Sequence, residues 1–380
     1  MTDLAMNMED KKIGGGVVGR IKYIDIAKII SVFFVLVDHI QYFLPVNNSY
    51  MVLRVIWIAF FLQVLFMATG ITSSYPIITS AKDIIIFIDK KLRALIIPYF
   101  IWCFFLNMYG NHDISFFIRV LLGKQEDLNM VGVNGVLWFC PVIFMSNVIT
   151  LFAVTGIHYI RKKISIHINF CYLIMSLVLI VFHDVINNFY GDYLSFGLRS
   201  GFCGSALIFM GMFVKDVLNV IYRKFSIIKK IFLSLFLFAI GIPLAYVNMP
   251  VMVGDTTVSY PHAIWIGMGK LGRNCILFML VSFCMSMGII ILSMCLERVR
   301  VFSYWGKHSF LFMTIHIYTH SIVAAHIIPA IRTFVRDDNI LIFLFFLISV
   351  CMVAATIPFV DRYMPFLYKP IKKQGDKYII

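Results

Sequence analysis

Charged residues are scarce in this chain. Of its 380 residues only 14% are Asp, Glu, Lys or Arg, whereas 61% are hydrophobic, and the mean hydropathy is +0.90. A soluble protein would carry roughly 25% charged residues. The composition therefore excludes a soluble domain. It predicts an all-α integral membrane protein, because helices satisfy their own backbone hydrogen bonds within lipid.

Several signatures of soluble enzymes are also absent. The eight cysteines include no C-x-x-C pair and fall mostly within apolar runs, so they predict neither disulfides nor a metal site. His316 and His320 share a helix face at a spacing of four, but the span lacks the glutamate of the zincin pattern. There is no Gly-rich phosphate loop, no G-x-S-x-G elbow and no paired-carboxylate hydrolase signature. We therefore expect no metal and no covalent serine or cysteine intermediate.

What the chain does have is a series of long apolar segments. Each is close to the roughly 20 residues that a helix needs to cross hydrocarbon. The ten predicted spans are residues 22–44, 51–75, 88–109, 134–156, 168–188, 194–217, 228–247, 271–296, 307–330 and 339–361. The sequence thus predicts about ten helices around a polar pore in a membrane domain at 22–362, between a polar, disordered tail at 1–21 and a basic tail at 363–380.

The basic residues indicate how the helices are oriented. A net charge of +14 could suggest binding to nucleic acid. However, most lysines and arginines flank alternate ends of the apolar spans, as the positive-inside rule describes. We therefore expect a multi-pass protein of the lipid bilayer with both termini in the cytoplasm and no nucleic acid partner.

The first span, residues 22–44, carries charge where lipid disfavours it. Asp25, Lys28, Asp38 and His39 all lie in this segment, and a charged side chain near the bilayer centre costs at least a few kcal/mol. Lys28 and His39 are eleven residues apart, which is about three helical turns, and therefore share one face. Asp25 lies one turn before Lys28. Asp38 points about 100° away from His39, so it is a poor candidate for orienting the imidazole.

These residues open a series of motifs. The series comprises Lys28-x10-His39, the segment Phe66–Gly70, the basic stretch Lys90-Lys91-Leu92-Arg93 before Pro98-Tyr99, Trp138-Phe139, and the segment Gly306–His316. In order and spacing the series resembles the membrane-bound acyltransferase-3 family, bacterial enzymes that acylate sugars of surface polysaccharides. The chain departs from the family pattern with Lys for Arg at 28 and 90, Thr69 for Ser, His308 for Asn and Met313 for Tyr.

The resemblance implies a function and a set of roles. The expected reaction is transfer of an acetyl group from cytoplasmic acetyl-CoA to a sugar hydroxyl of a surface or lipid-linked polysaccharide, at the bacterial inner membrane. His39 would be the general base, and Lys28 and Asp25 would line the donor path. Lys90, Lys91 and Arg93 would bind the donor phosphates. The remaining candidates for the pore or the acceptor site are Trp138, Arg199, Ser309 and His316.

Each of these assignments has an alternative. Lys28 could snorkel to the interface, and the basic stretch at 90–93 could be an ordinary cytoplasmic flank. Trp138 could anchor the membrane interface. Two long outer loops, 110–133 and 248–270, are candidates for binding the acceptor. A transporter or flippase for a glycan or lipid-linked sugar is the alternative function, and binding of coenzyme A would distinguish it from the enzyme.

Overall fold

The computed structural model describes residues 20–108, 137–190, 197–254 and 258–367. Most of the predicted tail at 1–21, the predicted loop at 110–133 and residues 368–380 lie outside the described residues.

Helices account for most of the described chain. Their bounds are α1 Lys22–His39, α2 Asn48–Ile58, α3 Gln63–Thr72, α4 Ala81–Lys91, α5 Ile97–Met108, α6 Phe139–Lys163, α7 Ile168–Tyr190, α8 Leu198–Lys224, α9 Ile227–Asn248, α10 Cys275–Cys295, α11 Arg300–Lys307, α12 Ser309–Ile322, α13 Ile328–Arg332 and α14 Asp338–Tyr363. Among the described residues, strands occur only in two short antiparallel hairpins between α9 and α10. These pair β1 Met252–Val253 with β2 Val258–Ser259, and β3 Ile264–Trp265 with β4 Lys270–Leu271.

Eight helical segments within the described residues are long and apolar enough to cross a membrane. They are Asn48–Thr72, Phe139–Lys163, Ile168–Tyr190, Leu198–Lys224, Ile227–Asn248, Cys275–Cys295, Ser309–Arg332 and Asp338–Tyr363. The prediction of an all-α integral membrane protein is confirmed. The number of ten spans and the side of the termini remain predictions.

The other two predicted spans, 22–44 and 88–109, are helical but are not among these eight segments. Helix α1 contains the four charged residues discussed above and continues into a 3₁₀ turn at Ile40–Tyr42. The helix predicted at residues 88–109 starts earlier, at Ala81, because Ser80 and Asp83 form a capping box at the start of α4. A π-helical turn at Leu92–Ile96 joins α4 to α5.

Helix α1 lies at the centre of the bundle. It packs against α3, α10, α11 and α12, and most of its residues are buried. The ring of Phe33 contacts Trp305, Phe312 and Phe346 at centroid distances of 5.8 to 5.9 Å. The most polar span is therefore surrounded by protein, which is where charged residues in a membrane are tolerated.

The predicted second span, residues 51–75, is broken. Helix α2 ends at Ile58 and α3 begins at Gln63, with an irregular turn between them. The side chain of Gln63 donates from Nε2 to the carbonyl oxygen of Ile58 at 2.9 Å. Irregular backbone at membrane depth is tolerated where it borders a cavity or is buried in protein, and this turn borders the cavity described next.

Candidate functional site

A cavity of about 690 Å³ lies where α1 ends. Its volume is within the roughly 300–1,000 Å³ typical of ligand sites. The lining residues are Val35, Asp38, His39, Gln41, Tyr42, Phe43, Arg54, Ile58, Phe61, Leu62, Trp138, Met249, Ala263, Ile264, Trp265, Ile266, Met313 and Ile317. They come from α1, the broken α2–α3 segment, the start of α6, the β3 loop and α12. Most are apolar, and the polar ones cluster at the end of α1.

The end of α1 is held by side chains from other helices. The N–H of Ile40 bonds to Val37 instead of continuing the α-helical pattern, so the carbonyl oxygen of Leu36 needs another donor. His320 supplies it, with Nε2 at 3.0 Å from that oxygen. The hydroxyl of Tyr50 donates to the carbonyl oxygen of Val37. Contacts with α2 and α12 therefore fix the turn that carries His39.

A second histidine orients His39. Nδ1 of His39 lies 3.0 Å from Nε2 of His316, and the two rings stack with centroids 5.1 Å apart at 30°. Nδ1 of His316 lies 3.1 Å from the carbonyl oxygen of Phe312, one turn earlier in α12. His39 is half-buried and lines the cavity, whereas His316 is fully buried behind it.

This chain of contacts fixes which nitrogen of each neutral ring carries the proton. A carbonyl oxygen only accepts, so Nδ1–H of His316 donates to Phe312. Nε2 of His316 is then the acceptor, and Nδ1–H of His39 must donate to it. The remaining nitrogen of His39, Nε2, then carries no proton and keeps its lone pair as an acceptor. His39 is thus arranged as a base with its acceptor nitrogen fixed by its neighbour.

An ion pair lies beside His39 in the cavity wall. Asp38 accepts from Arg54 at two positions, Oδ1···Nε at 2.6 Å and Oδ2···Nη2 at 3.1 Å. The indole Nε1 of Trp57 also donates to Oδ1 at 3.0 Å. The guanidinium of Arg54 lies 5.7 Å from the ring centroid of Tyr260. These partners hold the Asp38 carboxylate, so it does not orient the imidazole of His39.

The loop between α9 and α10 forms one wall of the cavity. Its β3–β4 hairpin turns at Gly269, which has φ of +70°, a conformation that favours glycine. The carbonyl oxygen of Gly269 is held by Asn187 Nδ2 at 3.2 Å and by His183 Nε2 at 3.3 Å. Part of the predicted acceptor loop, residues 248–270, therefore faces the cavity; its residues 255–257 lie outside the described ranges.

Two of the predicted pore residues lie elsewhere. Arg199 donates from Nε to Oδ1 of Asn187 at 2.7 Å, so it belongs to the cluster that fastens the β3–β4 hairpin and does not line the cavity. Ser309 begins α12, seven residues and about 10 Å before His316, and is also absent from the lining. Trp138 does line the cavity.

Lys28 and Asp25 lie deeper along α1, about 16 Å and 21 Å from His39 at 1.5 Å per residue. Neither lines the cavity. Asp25 is buried and paired with Arg20, whose Nε is 2.5 Å from Oδ2. Lys28 is half-buried and forms no hydrogen bond or ion pair with the residues that the structure describes. The cation and the imidazole are on one helix, but only the imidazole borders this cavity.

The predicted donor-binding residues lie towards the opposite end of the bundle. Helix α3 starts beside the cavity and leads away to Tyr75, and Nζ of Lys91 lies 5.9 Å from that ring centroid. Arg93 is buried and binds Asp89, with Nη2 at 3.0 Å from Oδ2. Lys90 is exposed. No group of three or more His, Cys, Asp or Glu side chains that could hold a metal occurs among the described residues.

Comparison with known proteins identifies the family. A model of the acyltransferase-3 family, described as an acyltransferase domain, matches residues 21–360. The chain belongs to the acyltransferase-3 family. No curated protein and no solved structure matches it. Family membership and the apolar helices together make this protein a membrane acyltransferase.

Two glycines in the acyltransferase-3 motifs have a packing role. A Cβ on Gly70 would lie 2.0 Å from the carbonyl oxygen of Ile208 in α8, and one on Gly306 would lie 2.3 Å from that of Asp25 in α1. Both positions need a residue without a side chain, because backbones of neighbouring membrane helices meet there. Gly306 thereby allows α11 to pack closely against the start of α1.

Sequence reasoning missed the Asp38–Arg54 pair and the link between His39 and His316. The Asp38–Arg54 pair could have been suspected, because two charges within apolar spans need partners. However, the sequence offered several possible pairings. The link between the two histidines had a weaker signal, since His316 was recognised only as a polar residue of the last motif. Its contact joins residues 277 positions apart in the chain.

Proposed function

We propose that this acyltransferase moves an acetyl group from cytoplasmic acetyl-CoA to a sugar hydroxyl of a surface or lipid-linked polysaccharide, with His39 as the general base. The observation that carries the proposal is the place of His39 in the wall of a cavity of about 690 Å³, with Nδ1 held 3.0 Å from Nε2 of His316. Membership of the family supports an enzyme over a transporter.

The proposed reaction uses one proton transfer at His39. Nε2 takes the proton of the acceptor hydroxyl while its oxygen attacks the thioester carbonyl carbon. The carbon–sulfur bond then breaks, and the thiolate of coenzyme A receives the proton as it leaves. A base placed this way contributes roughly 10²- to 10⁴-fold to the rate, and holding both substrates together contributes more.

The position of the basic residues supports a donor entering from the other end. Lys90, Lys91 and Arg93 lie towards the end opposite the cavity, and Lys28 lies about 16 Å from His39 towards the start of α1. Phosphates of acetyl-CoA would bind at this basic end, with the pantetheine arm directed towards His39. Arg93 already binds Asp89, so in this proposal Lys90 and Lys91 provide the ammonium groups that bind the phosphates.

The proposal is tested on the surface glycan of cells that carry the gene, lack it, or express variants. We expect the O-acetyl signals in the NMR spectrum of the glycan to disappear without the gene and with His39→Gln. His167→Gln is the matched control, because His167 is exposed between α6 and α7 and does not line the cavity. A correctly inserted His39→Gln protein that acetylates at the wild-type rate would overturn the assignment of the base.

A second measurement separates the enzyme from the transporter. Purified wild-type protein should bind coenzyme A, and Lys90→Ala combined with Lys91→Ala should weaken that binding, because two cations opposite the phosphates are removed. His39→Gln should bind coenzyme A as the wild type does. Wild-type protein without affinity for coenzyme A would refute the proposed donor.

A further inference from the structure

The cavity beside His39 contains charges that cancel. Among the described residues that line it, the formally charged side chains are Asp38 and Arg54, and they bind each other through two hydrogen bonds. His39 is neutral in the arrangement derived above. Among these described residues a ligand therefore meets hydrogen-bond donors and acceptors but no net charge.

Arg54 keeps hydrogen-bond donors for a ligand. A guanidinium has five N–H groups; Asp38 accepts from two of them, and the hydroxyl of Tyr260 accepts from the same guanidinium, which leaves further N–H groups. The Arg54 side chain is 19% exposed, so part of it is open to the cavity. Gln41, one turn past Asp38, adds an amide to the lining. Donors and acceptors at fixed positions are suited to the hydroxyls of a sugar.

Aromatic rings supply the rest of the surface. The rings are those of Tyr42, Phe43, Phe61, Trp138 and Trp265, and Tyr42 and Trp265 are 64% and 43% exposed. Such rings pack against the apolar face of a ligand while its polar edge remains hydrogen-bonded. A pyranose ring has such a face, bounded by hydroxyls.

The balance of charge among the described lining residues argues against an acidic sugar. Its carboxylate would leave water for a largely apolar cavity in which Asp38 already neutralises the cation. Desolvation of an ion without a counter-charge is expensive. An uncharged sugar avoids that cost and still uses the donors of Arg54. The cavity volume of about 690 Å³ also lies in the range of sites that hold small ligands, a size class that includes a hexose.

We propose that this cavity selects an uncharged sugar residue as acceptor, with its hydroxyls held by Arg54 and Asp38 and its ring packed on Trp265 and Tyr42. The inference rests on the proposed function and deepens it, because it specifies the acceptor class. Arg54 and Asp38 are then specificity-determining residues beside the base.

The test measures sugar binding without chemistry. Full-length protein is placed in lipid nanodiscs, since sugar-based detergents would compete, and tryptophan fluorescence is titrated with methyl glycosides of glucose, galactose and mannose and of their uronic acids. Trp138 and Trp265 in the lining report binding. We expect at least one neutral glycoside to bind at least tenfold tighter than its uronate. Tighter or equal binding of every uronate, or no binding of any neutral glycoside, overturns the proposal.

A charge variant tests the role of Asp38 directly. Asp38→Asn keeps the shape and can still accept from Trp57, but it leaves the Arg54 cation without its counter-charge. We expect its affinity for the uronates to rise at least tenfold over wild type, which a purely structural role would not produce. An unchanged preference would overturn the proposal. Arg332→Gln is the control: Arg332 forms an exposed pair with Asp338, and its loss should leave the preference as in wild type.

Binding of acetyl-CoA and acetyl transfer are measured in the same nanodiscs. Preference for a neutral glycoside in a protein that does not bind acetyl-CoA would support this inference and refute the proposed function. Acetyl transfer that depends on His39 but prefers a uronate acceptor would support the proposed function and refute this inference.

Discussion

At the scale of single residues, the unusual feature is that one neutral histidine orients another. A carboxylate in the place of His316 would put a negative charge deep in the bundle, where it would need a partner. The imidazole of His316 accepts a hydrogen bond from Nδ1–H of His39 without adding charge. The carbonyl oxygen of Phe312 in turn fixes the tautomer of His316. The pair therefore obtains a fixed acceptor nitrogen on His39 at little electrostatic cost.

Variants at His316 test this positioning role. His316→Leu removes the imidazole nitrogen that accepts from Nδ1–H of His39, and we expect kcat to fall roughly 10²-fold, the lower range for general base catalysis. His316→Gln places an amide oxygen near the lost nitrogen and should keep at least a tenth of the activity. Initial rates of acetyl transfer measure both, and KM for acetyl-CoA should stay constant. Equal losses in the two variants would contradict the role.

The residues of the site could be predicted only in part. The spacing of Lys28 and His39 correctly puts them on one helix, but spacing does not say which parts of that face border a cavity. That depends on neighbours distant in sequence, such as Trp265 in the wall. For the same reason the sequence did not show that Arg54, and not the predicted Arg199, lines the cavity.

At the scale of elements, close backbone contacts hold the helices together. Lipid tails are as apolar as leucine, so membrane helices associate mainly through close packing and hydrogen bonds. Gly70 and Gly211 let α3 and α8 meet, because a Cβ at either would lie within 2.2 Å of a carbonyl oxygen on the other helix. Thr150 and Ser205 add a hydroxyl contact of 2.8 Å between α6 and α8. The cavity wall at the start of α3 depends on this packing.

Alanine substitutions at two helical glycines should therefore have opposite effects. In Gly70→Ala the new Cβ meets a carbonyl oxygen at 2.0 Å, and we expect a loss of about 1–3 kcal/mol, as for other overpacked cores. Gly156→Ala in α6 has no atom within 4 Å of the new Cβ, so it should be neutral or stabilise the protein by up to about 1 kcal/mol. Thermal unfolding in nanodiscs measures both. A Gly70→Ala protein as stable as Gly156→Ala would contradict the packing.

Element boundaries show where sequence patterns stop being informative. The apolar run at 51–75 contains no Pro or Gly before Gly70, yet the helix breaks at residues 59–62. The structure gives a local reason for the break, because the side-chain amide of Gln63 donates a hydrogen bond to the carbonyl oxygen of Ile58. A side chain that competes for the backbone in this way cannot be distinguished from an ordinary buried glutamine by composition.

At the scale of the whole molecule, the two proposed substrates meet opposite ends of the bundle. Helix α6 connects these ends: Trp138 precedes it in the cavity wall, and Arg161, Lys162 and Lys163 close it 25 residues later, a length of about 37 Å. Tyr159 near that far end bonds to the carbonyl oxygen of Ile78, close in sequence to the basic stretch at 90–93. A cytoplasmic donor and an external acceptor would each find a chemically suited end.

Cysteine labelling of whole cells tests that orientation. Trp265→Cys exposes a thiol at the mouth of the cavity, and Lys163→Cys exposes one at the far end of α6, where Lys163 is exposed. A membrane-impermeant maleimide should label the first in intact cells and the second only after permeabilisation, because positive charges favour the cytoplasmic side. The parent protein, with its eight native cysteines, gives the background. Labelling of Lys163→Cys in intact cells, with Trp265→Cys protected, would place the cavity in the cytoplasm and remove the reason for separate donor and acceptor ends.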